Sequence, residues 1–282
     1  MRKFNVALCQ MKVIDNKLEN LLKAKNMIEN FIKSQATKPD LVILPEYFNC
    51  PVGQNYTQIY AEEESNSETL ELLSSLAKQH KINIVGGSIP IKADEKYYNT
   101  CYCFNREGQV RARHRKVHLF DIDIPGKITY KESATLSAGT NYTVFETDFA
   151  KIGIGICYDI RFGEYAQVLK KHYDIDMLVY PAAFNTVTGP MHWELLHRAR
   201  ALDNNVFLAI CSPARNVENP DGYQCYGYST VVDPYARILA TTGYEEDIVF
   251  SEIDLELTKE IGERIPTWKQ KRGDMYEILK RI

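Results

Sequence analysis

The 282-residue sequence lacks long hydrophobic runs, dense cysteines and an excess of charge of one sign. No segment approaches the roughly 18 consecutive apolar residues of a membrane span, so we expect no membrane insertion. The amino-terminal apolar stretch is too short for a signal peptide and has no small-residue cleavage spacing. With 34 Lys and Arg against 37 Asp and Glu, the chain offers no surface suited to polyphosphate. We therefore expect a soluble globular protein that does not bind nucleic acid.

Seven cysteines are scattered through apparent strands, an odd number without the spacing of a disulfide scaffold. This usage predicts reduced thiols, and hence a cytoplasmic or mitochondrial protein. Cys101 and Cys103 could form half of a metal site, but no second pair lies at ligand spacing. His192 and His197 also miss the i, i+4 spacing of a helical metal pair. We expect no metal and no other cofactor.

Hydrophobic periodicity divides the chain into two similar halves, each running strand, helix, strand, helix and then several strands. Asn16 and Glu19 form a capping-box signature at the start of the first helix. Predicted helices follow Asn16 and cover 68–80, 161–172 and 191–204. Predicted strands cover 4–11, 41–44, 82–91, 97–105, 110–116, 143–149, 151–157, 177–180, 206–212, 228–232, 237–241 and 248–253.

This pattern predicts two mixed β-sheets packed face to face with helices outside, an α/β fold. No Ser/Gly/Pro-rich linker separates the halves, so we expect one domain over residues 1–282. Residues 117–141 read as a long irregular loop, and loops of that length are usually functional. Residues 259–282 read as a carboxyl-terminal arm that packs on its own domain or on another subunit.

Cys157 ends a strand whose two faces differ sharply. Ile152, Ile154 and Ile156 share one face, whereas Gly153 and Gly155 share the other face with the cysteine. The cysteine's face is therefore bare, and this predicts room for a substrate or a second backbone. A helix beginning near the sulfur would favour the thiolate. The alternative is a buried, inert cysteine in a core strand.

Glu46 and Lys116 occupy matching places after other predicted strands. Because ligands bind at the carboxyl ends of strands in α/β sheets, these two side chains and Cys157 can converge. Lys116 shares its strand face with Ala112 and His114, while the intervening arginines point the other way. A lysine pointing inward needs a carboxylate such as Glu46. The alternative is a solvated basic face.

Three segments resemble the signature blocks of the nitrilase (carbon–nitrogen hydrolase) superfamily, in the same order and with similar wide spacing. They are Leu-Pro-Glu46-Tyr-Phe, Arg-Lys116-Val-His-Leu-Phe-Asp and Gly-Ile-Cys157-Tyr-Asp-Ile-Arg-Phe. Further segments beginning at Phe120, Lys131, Phe184 and Arg200 resemble the omega-amidase branch. The resemblance covers almost the whole chain and argues strongly against an inert cysteine.

The resemblance implies a catalytic role for Cys157, Glu46, Lys116 and Glu132. Cys157 would be the nucleophile, Glu46 the general base and Lys116 the cation that stabilises the tetrahedral intermediate. The backbone N–H of Tyr158 would be a second oxyanion donor. Glu132 matches a position that holds the lysine or the substrate amide, although the sequence alone favours a surface carboxylate.

Tyr158 and three further residues are candidates for substrate binding. By analogy with related amidases, Arg161 would hold the distal carboxylate of the substrate, for which a guanidinium is suited. The equally favoured alternative is an ion pair between Arg161 and Glu164. Phe48 and Phe184 are candidate apolar walls of the site, with ordinary core packing as the alternative for each.

The resemblance implies an αββα sandwich that dimerises through one helical layer. The implied reaction is hydrolysis of the terminal amide of 2-oxoglutaramate or 2-oxosuccinamate, which releases ammonia without a cofactor. Alternatives with the same chemistry are an amidase for deaminated glutathione and a carbamoylase. A catalytically idle interaction protein on the same scaffold is the alternative from another class.

Overall fold

The computed structural model describes residues 3–281. Within these residues the α-helices are α1 (Lys17–Ser34), α2 (Gln54–Tyr60), α3 (Glu68–His80), α4 (Gly163–Tyr173), α5 (Gly189–Asn204) and α6 (Glu256–Arg264). Eight strands lie in the first half: β1 (Lys3–Gln10), β2 (Leu41–Ile43), β3 (Glu62–Glu63), β4 (Asn83–Val85), β5 (Ile89–Ala93), β6 (Lys96–Phe104), β7 (Val110–Arg115) and β8 (Asp121–Ile124). Eight more follow: β9 (Ile128–Lys131), β10 (Thr143–Glu146), β11 (Lys151–Ile154), β12 (Met177–Pro181), β13 (Phe207–Cys211), β14 (Thr230–Val232), β15 (Ile238–Thr241) and β16 (Asp247–Asp254).

Two mixed sheets contain most of these strands. The first has the order β16-β1-β2-β4-β6-β5-β3, with β7 also paired to β6, and its β1, β2 and β4 are parallel. The second has the order β10-β11-β12-β13-β14-β15, with β11, β12 and β13 parallel. Each half thus places a parallel core beside antiparallel strands. Strands β8 and β9 form a separate hairpin.

Alternation along β1 shows how the layers are built. Phe4, Val6 and Leu8 join the core between the sheets, whereas Ala7 and Cys9 face the cluster beneath α1 and α3. Helices α4 and α5 pack on the second sheet, against β11 and β13. The predicted four-layer αββα sandwich is confirmed. None of the helices within residues 3–281 has the length and apolar character needed to cross a membrane.

The predicted strand 82–91 is wrong, since two strands, β4 and β5, occupy this segment. The break lies at Gly87, which has a φ of +57°. A Cβ at Gly87 would overlap the carbonyl oxygen of Pro45. The glycine therefore lets this segment approach the backbone beside Glu46, and Ser88 donates its N–H to the same carbonyl at 3.1 Å.

The prediction of an irregular loop over 117–141 is also wrong. Strands β8 and β9 form a hairpin there, and a 3-10 turn, Glu132–Ala134, follows it. The sequence signal for this hairpin is an alternation of apolar and charged residues around Pro125 and Gly126. The alternation is short compared with the irregular segments on either side of it, so it is easily missed. The hairpin carries Glu132 at its end.

The carboxyl-terminal arm begins later than predicted, because α6 continues through Lys259 to Arg264. Beyond it, the indole N–H of Trp268 donates to the carbonyl of Asp203 at 3.0 Å. Lys171 Nζ donates to the carbonyl of Ile278 at 3.0 Å. The arm therefore packs on the ends of α4 and α5 of its own chain. Residues 1, 2 and 282 of the predicted domain lie outside the described residues.

The glycine face of β11 is filled by protein, so the expected clearing for a substrate is wrong. A Cβ on Gly153 would lie 2.9 Å from Ile175 Cδ1, and one on Gly155 would overlap the ring of Tyr180. These glycines let α4 and β12 pack closely beneath the cysteine.

We expect Gly155→Ala to lower the free energy of unfolding by about 1–3 kcal/mol, because the Tyr180 ring must shift in a packed core. Chemical denaturation checks this. Gly262→Ala is the matched control, since its Cβ meets nothing within 4 Å and the change should be neutral or slightly stabilising. Equal stability of the Gly155 and Gly262 variants would contradict the packing argument.

Candidate active site

Three connections between elements deliver the predicted ionisable residues to one place. Glu46 follows β2, Lys116 follows β7 directly, and Cys157 opens a 3-10 turn, Cys157–Arg161, shortly after β11. Tyr47 and Cys157 have φ values of 53° and 42°, in the left-handed region. Non-glycine residues are held there only by their surroundings and often at functional sites. The tight turns direct neighbouring side chains into one cavity.

Lys116 lies between two carboxylates in a buried ion network. Its Nζ is 3.0 Å from Glu46 Oε1 and 2.8 Å from Glu132 Oε2. The three residues are 2–3% exposed. Burial alone would lower the pKa of Lys116, but the charges of Glu132 and Glu46 outweigh it and raise the pKa well above its ordinary value. The inward-facing lysine is confirmed, and the solvated basic face is wrong for this residue.

Glu132 is a buried member of this network, so the surface-carboxylate alternative is wrong. Its Oε2 accepts the backbone N–H of Phe120 at 2.7 Å, and its Oε1 lies 3.4 Å from the hydroxyl of Tyr47. The hairpin of β8 and β9 determines this position, since it brings Glu132 back beside Phe120.

Glu46 is a buried carboxylate that accepts hydrogen bonds. Its Oε1 accepts a hydrogen bond from Asn99 Nδ2 at 2.8 Å. Burial raises the pKa of Glu46, and the net shift is upward. The charge of Lys116 lowers this pKa, whereas the charge of Glu132 raises it further. The thiol of Cys157 and the carboxylate of Glu46 also act on each other, since each shifts the pKa of the other. The thiol proton therefore has a nearby acceptor.

The surroundings of Cys157 favour the thiol, against the expected preference for thiolate. Burial and the charge of Glu46 raise the pKa of Cys157 well above its ordinary value, against the opposing effects of Lys116 and a hydrogen bond from the Ala183 backbone. Helix α4 begins at Gly163 rather than Arg161, so its positive end is further away than predicted. The Cys157 thiol must therefore lose its proton during the reaction, as the sulfur attacks.

Asp159 forms hydrogen bonds both with the turn at Cys157 and with the segment around Lys116. Sequence reasoning missed this role. Its Oδ2 lies 2.9 Å from the N–H of Ile156 and 3.1 Å from His114 Nε2. Its Oδ1 lies 2.9 Å from the N–H of His118 and 2.7 Å from His118 Nδ1. Burial would raise the pKa of Asp159, but hydrogen bonds from both histidines hold it well below its ordinary value. His114 and His118 flank Lys116, so one carboxylate positions both segments.

A narrow cavity of about 20 Å³ lies over the sulfur, enough for one water. Seven of the predicted residues line this cavity: Glu46, Lys116, Glu132, Cys157, Tyr158, Arg161 and Phe184. Sequence reasoning missed other lining residues, namely Val52, Phe120, Tyr130, Ala183, Thr188 and Tyr223.

Phe48 is not a wall of this cavity. It is fully buried among the apolar side chains beneath α1 and α3, so the core-packing alternative is correct for it. The left-handed turn at Tyr47 separates the directions of Glu46 and Phe48. Phe184 does line the cavity, packed edge-on against Trp193 with ring centroids 5.2 Å apart.

Arg161 makes no ion pair with Glu164 or with any other carboxylate among residues 3–281. Its guanidinium carbon lies 4.8 Å from the ring centre of Phe184 and 5.6 Å from that of Tyr158. Its Nε is buried without a hydrogen-bond partner within the described chain. A buried cation with an unused donor is suited to an anionic group in the cavity. The Glu164 alternative is wrong.

The site has the groups for nucleophilic attack on a carbonyl: a thiol, a carboxylate that can accept its proton and a buried cation. Within residues 3–281, no cluster of three or more His, Cys, Asp or Glu side chains could hold a metal ion. All seven cysteines are free, as the sequence predicted.

We expect kcat/KM to fall on the acid side with a midpoint above pH 4.5, the ordinary pKa of a glutamate side chain. Glu46 accepts a proton only when it is ionised, and its pKa is raised, so activity is lost as pH falls through this raised value. A pH–rate profile measures the midpoint, and fluorescence at each pH separates it from acid unfolding. An acid limb centred at or below pH 4.5 in a folded protein would contradict this.

Comparison with known proteins defines the class. The family model for carbon-nitrogen hydrolases matches residues 5–263. The chain belongs to the carbon–nitrogen hydrolase family, and its fold and buried Glu, Lys and Cys arrangement agree with the resemblance in the signature segments.

Individual relatives show which members of the family the chain resembles. The chain is 47% identical to "Omega-amidase NIT2" of Mus musculus over 278 residues, covering 99% of this chain and 98% of the relative. It is 46% identical to "Omega-amidase, chloroplastic" of Arabidopsis thaliana, covering 99% and 75%. The crystal structure of Saccharomyces cerevisiae Nit3, a member of branch 10 of the nitrilase superfamily, superimposes with a TM-score of 0.86 at 41% identity, covering 96% and 97%.

Proposed function

We propose that this protein is an omega-amidase, which hydrolyses the terminal amide of a short 2-oxo dicarboxylate monoamide such as 2-oxoglutaramate or 2-oxosuccinamate. The observation that carries the proposal is the Arg161 guanidinium, which makes no ion pair within residues 3–281, keeps an unpartnered Nε and lines the same cavity as the Cys157 thiol. One end of the substrate needs a cation and the other a nucleophile. The omega-amidase names of full-length relatives support the same substrate class.

Acylation uses the Glu46–Cys157 pair. Glu46 takes the thiol proton as the sulfur attacks the amide carbonyl. Lys116 and the backbone N–H of Tyr158, at the start of the 3-10 turn, stabilise the oxyanion. Glu46 then returns the proton to the nitrogen, the C–N bond breaks, and ammonia leaves behind a thioester on Cys157.

Deacylation uses the same carboxylate. Glu46 removes a proton from a water that attacks the thioester, the C–S bond breaks, and the proton returns to the sulfur. Glu132 and Asn99 hold Lys116 and Glu46 in register throughout, since each contacts its partner within 3.0 Å. The net reaction is amide plus water to carboxylic acid plus ammonia.

Two alternatives are separable by substrate. The chemistry would also serve deaminated glutathione or a carbamoyl compound, and comparison of turnover with these compounds and with the 2-oxo amides separates the possibilities. An idle interaction protein has no need for the buried Glu46–Lys116–Glu132 network, whose burial is energetically costly.

The test is ammonia release from 2-oxoglutaramate, 2-oxosuccinamate, deaminated glutathione and an N-carbamoyl amino acid under identical conditions. We expect the first two to give ammonia and 2-oxo dicarboxylate in equal amounts, with the highest kcat/KM. A higher kcat/KM for either of the other compounds would overturn the substrate assignment. Absence of turnover with all four would favour the binding role.

We also propose a homodimer formed through the layer of α4 and α5. In α4, Tyr165, Val168 and Leu169 are buried against their own chain and are not available for such a contact. Leu195 and Leu202 of α5 are 66% and 45% exposed and are better candidates. Sedimentation velocity with Leu195→Glu tests this, and an unchanged mass would contradict a contact through Leu195.

A further inference from the structure

His192 holds Arg161 through a contact that fixes its own protonation state. Arg161 Nη1 lies 3.1 Å from His192 Nδ1. A guanidinium has donors only, so Nδ1 must be the acceptor and must lack a proton. The imidazole is then neutral, with its proton on Nε2. The contact therefore orients Arg161 without cancelling its charge.

The surroundings of His192 agree with a neutral ring. Burial and the charge of Arg161 both lower the pKa of His192, and no acidic group is among the causes that affect it. A carboxylate at this place would pair with Arg161 and compete with an anionic substrate. A neutral acceptor avoids this competition.

Helix α5 holds Arg161 at two points. Besides the imidazole of His192, it supplies Arg200, whose Nη2 donates to the carbonyl of Arg161 at 3.1 Å. The rings of Phe184 and Tyr158 lie beside the guanidinium. Because Nη1 of Arg161 is bound to His192, the unpartnered Nε of Arg161 remains available to an anionic group.

We propose that His192 is a positioning residue that determines selectivity for anionic amides, because it places Arg161 with a hydrogen bond and leaves the guanidinium charge to the substrate. This inference rests on the proposed function and deepens it. His192 acts only through Arg161.

The experiment compares glutaramate, which carries a distal carboxylate, with pentanamide, a neutral amide of the same length. Three variants separate charge from hydrogen bonding. We expect His192→Glu to pair with Arg161 and lower the anionic-to-neutral ratio of kcat/KM at least about tenfold, through KM for glutaramate. We expect His192→Leu, which removes the acceptor, to lower the ratio several-fold. His192→Gln keeps a neutral acceptor and should retain the ratio.

Glu164→Gln is the matched control, because Glu164 is exposed in the first turn of α4 and does not pair with Arg161. Its ratio should equal that of the native protein. Equal losses with both amides in the His192 variants would overturn the proposal in favour of a purely structural role. A Gln variant as impaired as the Leu variant would do the same. A native protein without preference for glutaramate would instead overturn the proposed function.

Discussion

Lys116→Met is expected to abolish turnover and to lower the free energy of unfolding by about 3–5 kcal/mol. The substitution keeps the length of the side chain but removes the only cation between Glu46 and Glu132, which are 2.8–3.0 Å from Nζ. Two buried carboxylates then face each other without compensation. Because this network is buried, loss of Lys116 affects the stability of the fold as well as turnover. Denaturant unfolding and ammonia release measure the two effects.

The double variant Lys116→Met/Glu132→Gln separates the two losses. Neutralising Glu132 removes one uncompensated charge, so we expect it to recover about half of the lost stability and none of the activity. Glu132→Gln alone is the control for the second change. Full stability in Lys116→Met would contradict the buried network, and measurable turnover in the stabilised double variant would contradict the oxyanion role of Lys116.

Cys157→Ala is expected to reduce ammonia release by about 10⁴-fold or more, because no other group at the site can form the covalent intermediate. Its free energy of unfolding should change by less than about 2 kcal/mol, since only one sulfur atom is lost. Cys225→Ala is the matched control, being another buried cysteine that does not line the active-site cavity. It should retain activity.

Mass spectrometry of substrate-quenched protein gives an independent readout for the same residue. The native chain should carry an acyl adduct on the peptide containing Cys157, and the alanine variant should carry none. Equal ammonia release from the native protein and the Cys157→Ala variant would eliminate the thiol mechanism.

The parts of the site that could be predicted from sequence are those determined by local patterns. The alternation of side chains along a strand correctly predicted that Lys116 points inward. The ends of apolar strands correctly predicted that Glu46 and Cys157 lie at the site. The layered fold followed from alternating helical and strand periods, and the capping box at Asn16 is present, with its side chain accepting the N–H of Glu19 at 3.2 Å.

The remaining features depend on tertiary contacts that no local pattern encodes. Phe48 is two residues from Glu46, yet a left-handed turn sends it into the core. The charge state of Cys157 follows from burial beside Glu46 rather than from the helix after it. His192 and Asp159 act on residues 31 and 41–45 positions away, at distances visible only in three dimensions.

The Asp159 carboxylate has a consequence for the dynamics of the site. It accepts the backbone N–H groups of Ile156 and His118, which belong to different halves of the chain. Opening of either amide removes one hydrogen bond from the same buried carboxylate, whose other oxygen holds the second amide. We therefore expect local unfolding of the turn at Cys157 and of the segment after Lys116 to be coupled, with similar opening free energies and similar hydrogen-exchange protection.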